Sequence, residues 1–415
     1  MHILWLKTEL LHPVDKGGRI RTYNMLRALC RDHHVTYLTL DDGAAAPDAV
    51  ARAGEYSHEL IRVPFSNAPK RSLRFFSELA ANLVSPLPYA VAKYRSDEMR
   101  GLITEAAARG PDIIVCDFLF PSLNVPDNLG IPIVLFQHNV EAVIWERHMQ
   151  VAKSLPKKMY MRAQWRRMQR HEQAECLRFD HVVAVSTQDA DAFTRDYGVK
   201  SVSDVPTGVD TEYFRADNTT PRKRNNLVFT GSMDWLPNED AILWFTESVL
   251  PLVQRKIPDV TLTVVGRNAT PRLMTLNGIN GVEVTGSVPD VRPYLARAEV
   301  FVVPIRIGGG TRLKIYEAMA MARAVVSTPI GAEGLPVEDG VHVLLRTSEA
   351  ELAEGIVTLL QDENRRELLA KAAERLVNEH FGWSGVARKF AETCQRVIDV
   401  HGTAPRARAS VKAAS

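Results

Sequence analysis

Short, unbroken apolar runs alternate with amphipathic stretches from the first residues onward: HILWLK, then GGRIRTYNMLRALCRD with apolar positions at helical spacing, then HVTYLTL. Apolar runs of that length suit strands covered on both faces. The pattern continues through SHELIRVPF, a helical stretch over Asp97–Arg109, DIIVCDFLF, IPIVLFQHN and HVVAVST. Strands and helices in alternation predict an α/β fold built on a parallel, doubly wound sheet.

After VPTGVDTEYF the chain turns polar through RADNTTPRKRNN, a stretch without apolar periodicity, and a fresh strand starts at LVFTGS. The second half then repeats the first: VTLTVVG, VEVTG, VFVVPI, AVVST and HVLLR are separated by helical runs such as NEDAILWFTESVLPLVQRKIP and ELAEGIVTLLQDENRRELLAKAAERLVNEHF. A chain of 415 residues has room for two such domains, each with its own core. We expect one Rossmann-like domain over 1–205, a second over 206–385, a helix over 386–401 and a disordered tail over 402–415, where Val411 is the one large apolar residue. Two such halves imply a cleft at which the strand C-termini converge, and the site is expected there.

A net charge of +2 gives no reason to expect a nucleic-acid partner. Cys30, Cys116, Cys176 and Cys394 are scattered and read as buried thiols of a reducing compartment. The first apolar run is too short for a signal peptide and no uncharged run is long enough to span a bilayer, so a cytoplasmic protein is expected, with any membrane contact peripheral. No G-x-G-x-x-G follows the first strand, which disfavours a dinucleotide dehydrogenase.

The most informative segment runs from Val300 to Leu335 and reads strand, glycine loop, helix, strand. Gly308, Gly309 and Gly310 let backbone approach a ligand, and Thr311 can cap a helix whose free N–H groups attract anions. Arg312 and Lys314 fall in the first turn, where the helix dipole disfavours cations; a diphosphate would compensate them. Glu317 shares their helix face and could accept two ribose hydroxyls. The plainer alternative is a flexible surface turn with solvated charges. Asp41 and Asp42 could hold a divalent ion, but a turn-capping role is the stronger reading, and no metal or cofactor is called for.

This segment resembles the signature of the retaining glycosyltransferases of family 4, in which a Glu-x7-Glu pattern ends in E-A-M-A and a P-V-V-type strand follows. The resemblance extends to about residue 400 and implies the GT-B architecture: two Rossmann-like domains facing across a cleft, with the C-terminal helix crossing back to the first. It places the nucleotide ribose at Glu317 and the diphosphate at Arg312 and Lys314. The first motif glutamate falls on Gly309, which leaves the donor sugar undetermined. DKGGRIRTYNMLRAL is similar to the family's glycine loop, with Gly17 and Gly18 meeting donor phosphate or acceptor. FQHNVEA places His138 like the family's histidine beside the transferred sugar; the residue type alone is more often structural. In LVFTGSMDWLPNEDA, Gly231 belongs to the donor site, while Met233, Trp235 and Asn238 occupy a turn where many relatives carry an arginine and a lysine. VTGSVPDVRPYLARAEV resembles the loop that meets the base, through Ser287 and Val288. Asp210 reads as a turn cap in the V-P-T-G-V-D segment, where Thr207 replaces the usual asparagine.

The expected activity is metal-independent hexosyl transfer, with retention, from a nucleoside diphosphate sugar as co-substrate to a hydroxyl acceptor. Competing readings are a nucleotide-sugar epimerase or hydrolase of the same fold, and a non-catalytic subunit of glycan assembly. The stretch KSLPKKMYMRAQWRRMQRHEQAECLRF carries Lys153, Lys157, Lys158, Arg162, Arg166, Arg167, Arg170 and Arg178 against Glu172 and Glu175. With Leu155, Met159, Tyr160, Met161, Trp165 and Met168 interleaved, it is either an anionic-membrane contact serving a lipid-linked acceptor at the inner face, or a solvated helix packed on the first domain's core.

Overall fold

The computed structural model describes residues 1–15, 17–69, 72–150, 154–216, 219–307 and 313–403. The chain divides into two compact units, one formed by Met1–Val205 with Ala387–Ser415 and the other by Pro206–Val386. Both are α/β units on parallel sheets.

The first sheet contains β1 (His2–Lys7), β2 (His34–Asp41), β3 (Glu59–Pro64), β4 (Ile113–Asp117), β5 (Ile133–Phe136), β6 (His181–Ala184) and β7 (Val202–Asp204). Their order is β3-β2-β1-β4-β5-β6-β7, with every pairing parallel. Every residue of β4 and β5 is buried, which is why these strands read as continuous apolar runs. Edge strand β7 is short, polar and half-buried, and its sequence carries no strand signal.

The second sheet contains β8 (Asn226–Thr230), β9 (Thr261–Val265), β10 (Val282–Gly286), β11 (Val300–Val303), β12 (Ala324–Ser327) and β13 (Leu344–Leu345). Their order, β10-β9-β8-β11-β12-β13, is again all parallel. Strand order reverses between β1 and β4 in the first sheet and between β8 and β11 in the second. At such a reversal, neighbouring crossovers leave toward opposite faces and open a crevice beyond the strand C-termini.

The run after HVLLR is two helices, not one. Asp362 takes an extended conformation (φ −107°, ψ 92°) between Glu349–Gln361 and Glu363–His380, and its carboxylate accepts the Arg365 N–H at 2.9 Å. An N-cap is worth about 1 kcal/mol, enough to make a break at a surface aspartate stable. The last helix spans Trp383–Thr403, starting earlier than the expected 386 and taking in Gly402 and Thr403 of the expected tail; residues 404–415 lie outside the described residues. From Ala387 onward this helix belongs to the first unit, where the Phe390 ring packs 5.5 Å from Trp5 and 5.1 Å from Phe136. All four cysteines are free, with Cys30 half-buried and the other three buried. Among the described residues no helix is long and apolar enough to cross a membrane.

Candidate functional site

In the first unit the reversal point is built around Asp117, the last residue of β4. Its Oδ2 accepts from Lys7 Nζ at the end of β1 (2.8 Å), from Thr22 Oγ1 on the Gly17–Leu29 helix (2.6 Å) and from Trp5 Nε1 (2.9 Å). Burial opposes the Asp117 charge, but the Lys7 ammonium and the close His138 together outweigh it and hold the carboxyl well below the usual range.

His138 follows β5 and lies buried beside this hub. Its Nε2 stands 2.7 Å from Asp117 Oδ1, a close approach whose angle falls outside hydrogen-bond geometry. The rings of Phe118 and Phe136 meet the imidazole edge-on at 4.7 and 4.8 Å. Burial pushes His138 down to about 3, with Asp117 opposing and Arg21 and Lys7 reinforcing, so the imidazole is neutral. Its Nδ1 is buried without a hydrogen-bond partner among the described residues and faces Gly18, where a methyl group would sit 3.9 Å away. Gly17 and Gly18 open their helix, so the fold brings Gly18 and His138 together at the C-terminal ends of the sheet's strands. Such an orphaned nitrogen calls for an explanation.

In the second unit the loops after three strands are tied together. Gly231 N–H donates to Val265 O (3.0 Å) and Gly266 N–H to Gly286 O (3.2 Å), and a side chain at Gly266 would collide with the Gly231 carbonyl. A Cβ on Gly231 would stand 2.8 Å from Lys314 Nζ and 2.7 Å from Asn238 Nδ2. The Lys314 ammonium donates to Asn238 Oδ1 (2.9 Å) and rests 4.0 Å above the Phe229 ring, while Asn238 Nδ2 donates to Ser232 O (2.8 Å). Asn238 therefore orients the lysine. One turn further along the Leu313–Ala320 helix, Glu317 is half-buried, and no side chain among the described residues hydrogen-bonds its carboxylate. Burial pushes that carboxyl up to about 7 against the pull of Lys314.

Ser287 is exposed and Val288 half-buried, directly after β10. Gly308, Gly309, Gly310, Thr311 and Arg312 lie outside the described residues. Asp41 and Asp42 cap their own turn, accepting from the Gly43 and Ala44 N–H groups at 3.1 Å each. Asp210 likewise accepts from Tyr213 N–H at 2.9 Å.

Sequence reasoning missed three residues. Asp117 is a lone aspartate whose partners come from three other segments. Phe118 holds a left-handed backbone (φ 80°), strained for a bulky residue, next to the buried hub. Arg267, after β9, places Nε 3.2 Å from Ser232 Oγ and so brings a cation to the turn that lacks one of its own.

Paired Rossmann-like units, each with polar groups at its strand-order reversal, define the class of the GT-B glycosyltransferases. The model for Glycosyltransferase Family 4 matches residues 16–213, and that for Glycosyl transferases group 1 matches residues 224–362. The chain belongs to this family. It is 22% identical over 252 residues to an uncharacterized protein in the cps region of Klebsiella pneumoniae, covering 59% of this chain and 63% of that one. It is 24% identical over 237 residues to an uncharacterized glycosyltransferase of Methanocaldococcus jannaschii, covering 53% and 59%. The match thus spans less than two thirds of either relative. Among solved structures, Anabaena HepE in complex with UDP superposes with a TM-score of 0.68 at 16% identity, covering 95% of this chain and all of that one; HepE has also been solved with UDP-glucose.

Proposed function

We propose that this protein is a retaining glycosyltransferase that moves a hexosyl group from a nucleoside diphosphate sugar to a hydroxyl acceptor. The observation that carries the reading is the Gly231–Lys314–Glu317 constellation: backbone without a side chain against an oriented ammonium, and one turn away a carboxylate that no side chain among the described residues hydrogen-bonds. A diphosphate fits the first two and ribose hydroxyls the third. UDP bound to HepE supports the same chemistry.

In the proposed reaction the bond between the sugar C1 and the diphosphate oxygen breaks while a bond from C1 to the acceptor oxygen forms on the same face. The acceptor proton passes to the departing phosphate oxygen. Negative charge grows on the diphosphate as it leaves, and Lys314, Arg312, Arg267 and helix N–H groups stabilise it more than they stabilise the ground state. These cations supply the charge that a metal would otherwise bring. Neutral His138 offers Nδ1 as an acceptor for a sugar hydroxyl.

The Leu155–Arg178 helix supports a peripheral membrane role through its first half. Leu155 and Met159 are exposed there with Lys157, Lys158, Arg162 and Arg166, while Tyr160, Met161 and Trp165 are half-buried. Beside it, exposed Leu83 and Val84 follow Asn82, whose side chain accepts from Gln164 at 3.0 Å. The second half packs inward, with Met168 buried beside Val91 and Leu119. Two of the cations are structural: Arg167 binds the Asn82 and Leu83 carbonyls at 2.7 and 2.6 Å, and Arg178 pairs with Glu175 and Asp127. Lys153 lies outside the described residues. The reading is attachment to the cytoplasmic face of an anionic membrane, with a lipid-linked saccharide as acceptor.

Product analysis by NMR tests the transfer. The expected product from an α-linked donor is an α-linked glycoside, formed only with acceptor present. An inverted product removes retention, and free sugar or an epimerised donor as sole product favours the hydrolase or epimerase reading.

A further inference from the structure

The first unit carries a cavity of about 570 Å³ that the donor chemistry leaves unused. Its walls come from the loop after β3 and from the Leu73–Asn82 helix with the segment after it; they include Ser66, Asn67, Arg74, Tyr89, Lys93 and Arg95. The volume falls within the roughly 300–1,000 Å³ of small-ligand sites.

Its charges are not balanced. Arg74 is spent on Glu78 (2.9 Å), and Glu78 also accepts from Tyr89 OH (3.1 Å), so the one carboxylate in the wall is already engaged. Nearby Asp42 accepts from the Ala44 N–H and from Asn67 Nδ2, and its charge only partly offsets the burial of Lys93. Lys93 is half-buried; its ammonium rests 4.5 Å from the Tyr94 ring, and neither it nor the exposed Arg95 makes an ion pair among the described residues. Burial pushes the Lys93 ammonium down, a cost an anionic ligand would offset.

The wall also leads toward His138. Phe65 of the cavity stacks on Tyr94 at 6.2 Å, Tyr94 meets Phe120 at 5.6 Å, Phe120 stacks on Phe118 at 5.1 Å, and Phe118 touches His138 at 4.7 Å. The three intermediate rings are half-buried, so part of each stays accessible to the apolar side of a sugar ring.

We propose that this cavity binds an anionic saccharide, its carboxylate or phosphate held by Lys93 and Arg95 and its ring carried on the aromatic ladder toward His138. Its identity as the acceptor rests on the transfer reading above; the binding itself does not.

The test is titration of glucuronic acid, glucose 6-phosphate and glucose into the full chain with UDP at saturation, followed by ligand-observed NMR. At least one charged sugar is expected to bind about tenfold more tightly than glucose, and Lys93→Ala with Arg95→Ala to remove about tenfold of that preference. UDP affinity and melting temperature should be unchanged. The two anions separate a uronate from a phosphate ligand. Arg95→Gln alone, at an exposed position, serves if the double variant fails to fold and should lower the preference severalfold. Equal binding of glucose and both anions, or full affinity in the variants, overturns the proposal. Charged-sugar binding without binding of UDP, GDP or ADP would sink the donor reading and leave this site standing.

Discussion

Lys314 shows how a single side chain acquires a role from its neighbours. Its ammonium is aimed by Asn238 Oδ1 and by the Phe229 ring, against a glycine that leaves room for a ligand. Groups oriented before the reaction act on charge that develops in the transition state without reorganising. Lys314→Ala should therefore lower kcat/KM for the donor by on the order of 2–4 kcal/mol, mostly in kcat. Steady-state kinetics check this, and wild-type kcat in an active, folded variant would remove the phosphate assignment. The lysine was legible as a candidate in the sequence because glycine, helix start and cation lie within one short segment. Asn238, Arg267 and Asp117 were not, since their significance depends on which strand ends the topology brings together, and spacing along the chain does not encode that.

At the scale of elements, the Glu141–Gln150 helix begins on a buried carboxylate from another helix. Glu172 accepts the N–H groups of Glu141 and Ala142 at 2.8 and 3.0 Å and the Tyr197 hydroxyl at 2.7 Å. These donors only partly offset the burial that pushes Glu172 up to about 7, and burial followed by the Glu172 charge pushes Glu141 higher still, to about 8. An unfolded glutamate titrates near ~4.3. A carboxyl with a raised folded pKa gives its full stability below the unfolded value and loses it as pH rises through the folded one. Glu141→Gln, a mimic of the protonated form, should thus melt close to wild type at pH 4 and several degrees above it at pH 8. A melting difference that stays constant across that range contradicts the assignment. This helix, like Leu73–Asn82, escaped a reading based on long periodic runs: each is ten residues, and much of its face is exposed or polar. The break at Asp362 was hidden for the opposite reason, because helical periodicity continues across it.

For the whole molecule, the fold was largely legible, since strands buried on both faces write themselves as apolar runs and the polar stretch before Asn226 separates two similar halves. The proposed membrane attachment needs apolar and basic groups from separate segments on one unit. The full chain should co-sediment with anionic but not neutral vesicles, and less so in high salt; equal recovery from both, or from neither, removes the membrane reading. The central claim is that the second unit holds a nucleoside diphosphate sugar between Lys314 and Glu317. A ligand that binds only the folded state raises the melting temperature, so the direct measurement is the melting temperature of wild type and Glu317→Ala with UDP-, GDP- and ADP-glucose. On this assignment at least one donor should raise it in wild type, and Glu317→Ala should lose most of the shift at the same concentration while melting normally without ligand. No shift with any donor, or an equal shift in the variant, contradicts it.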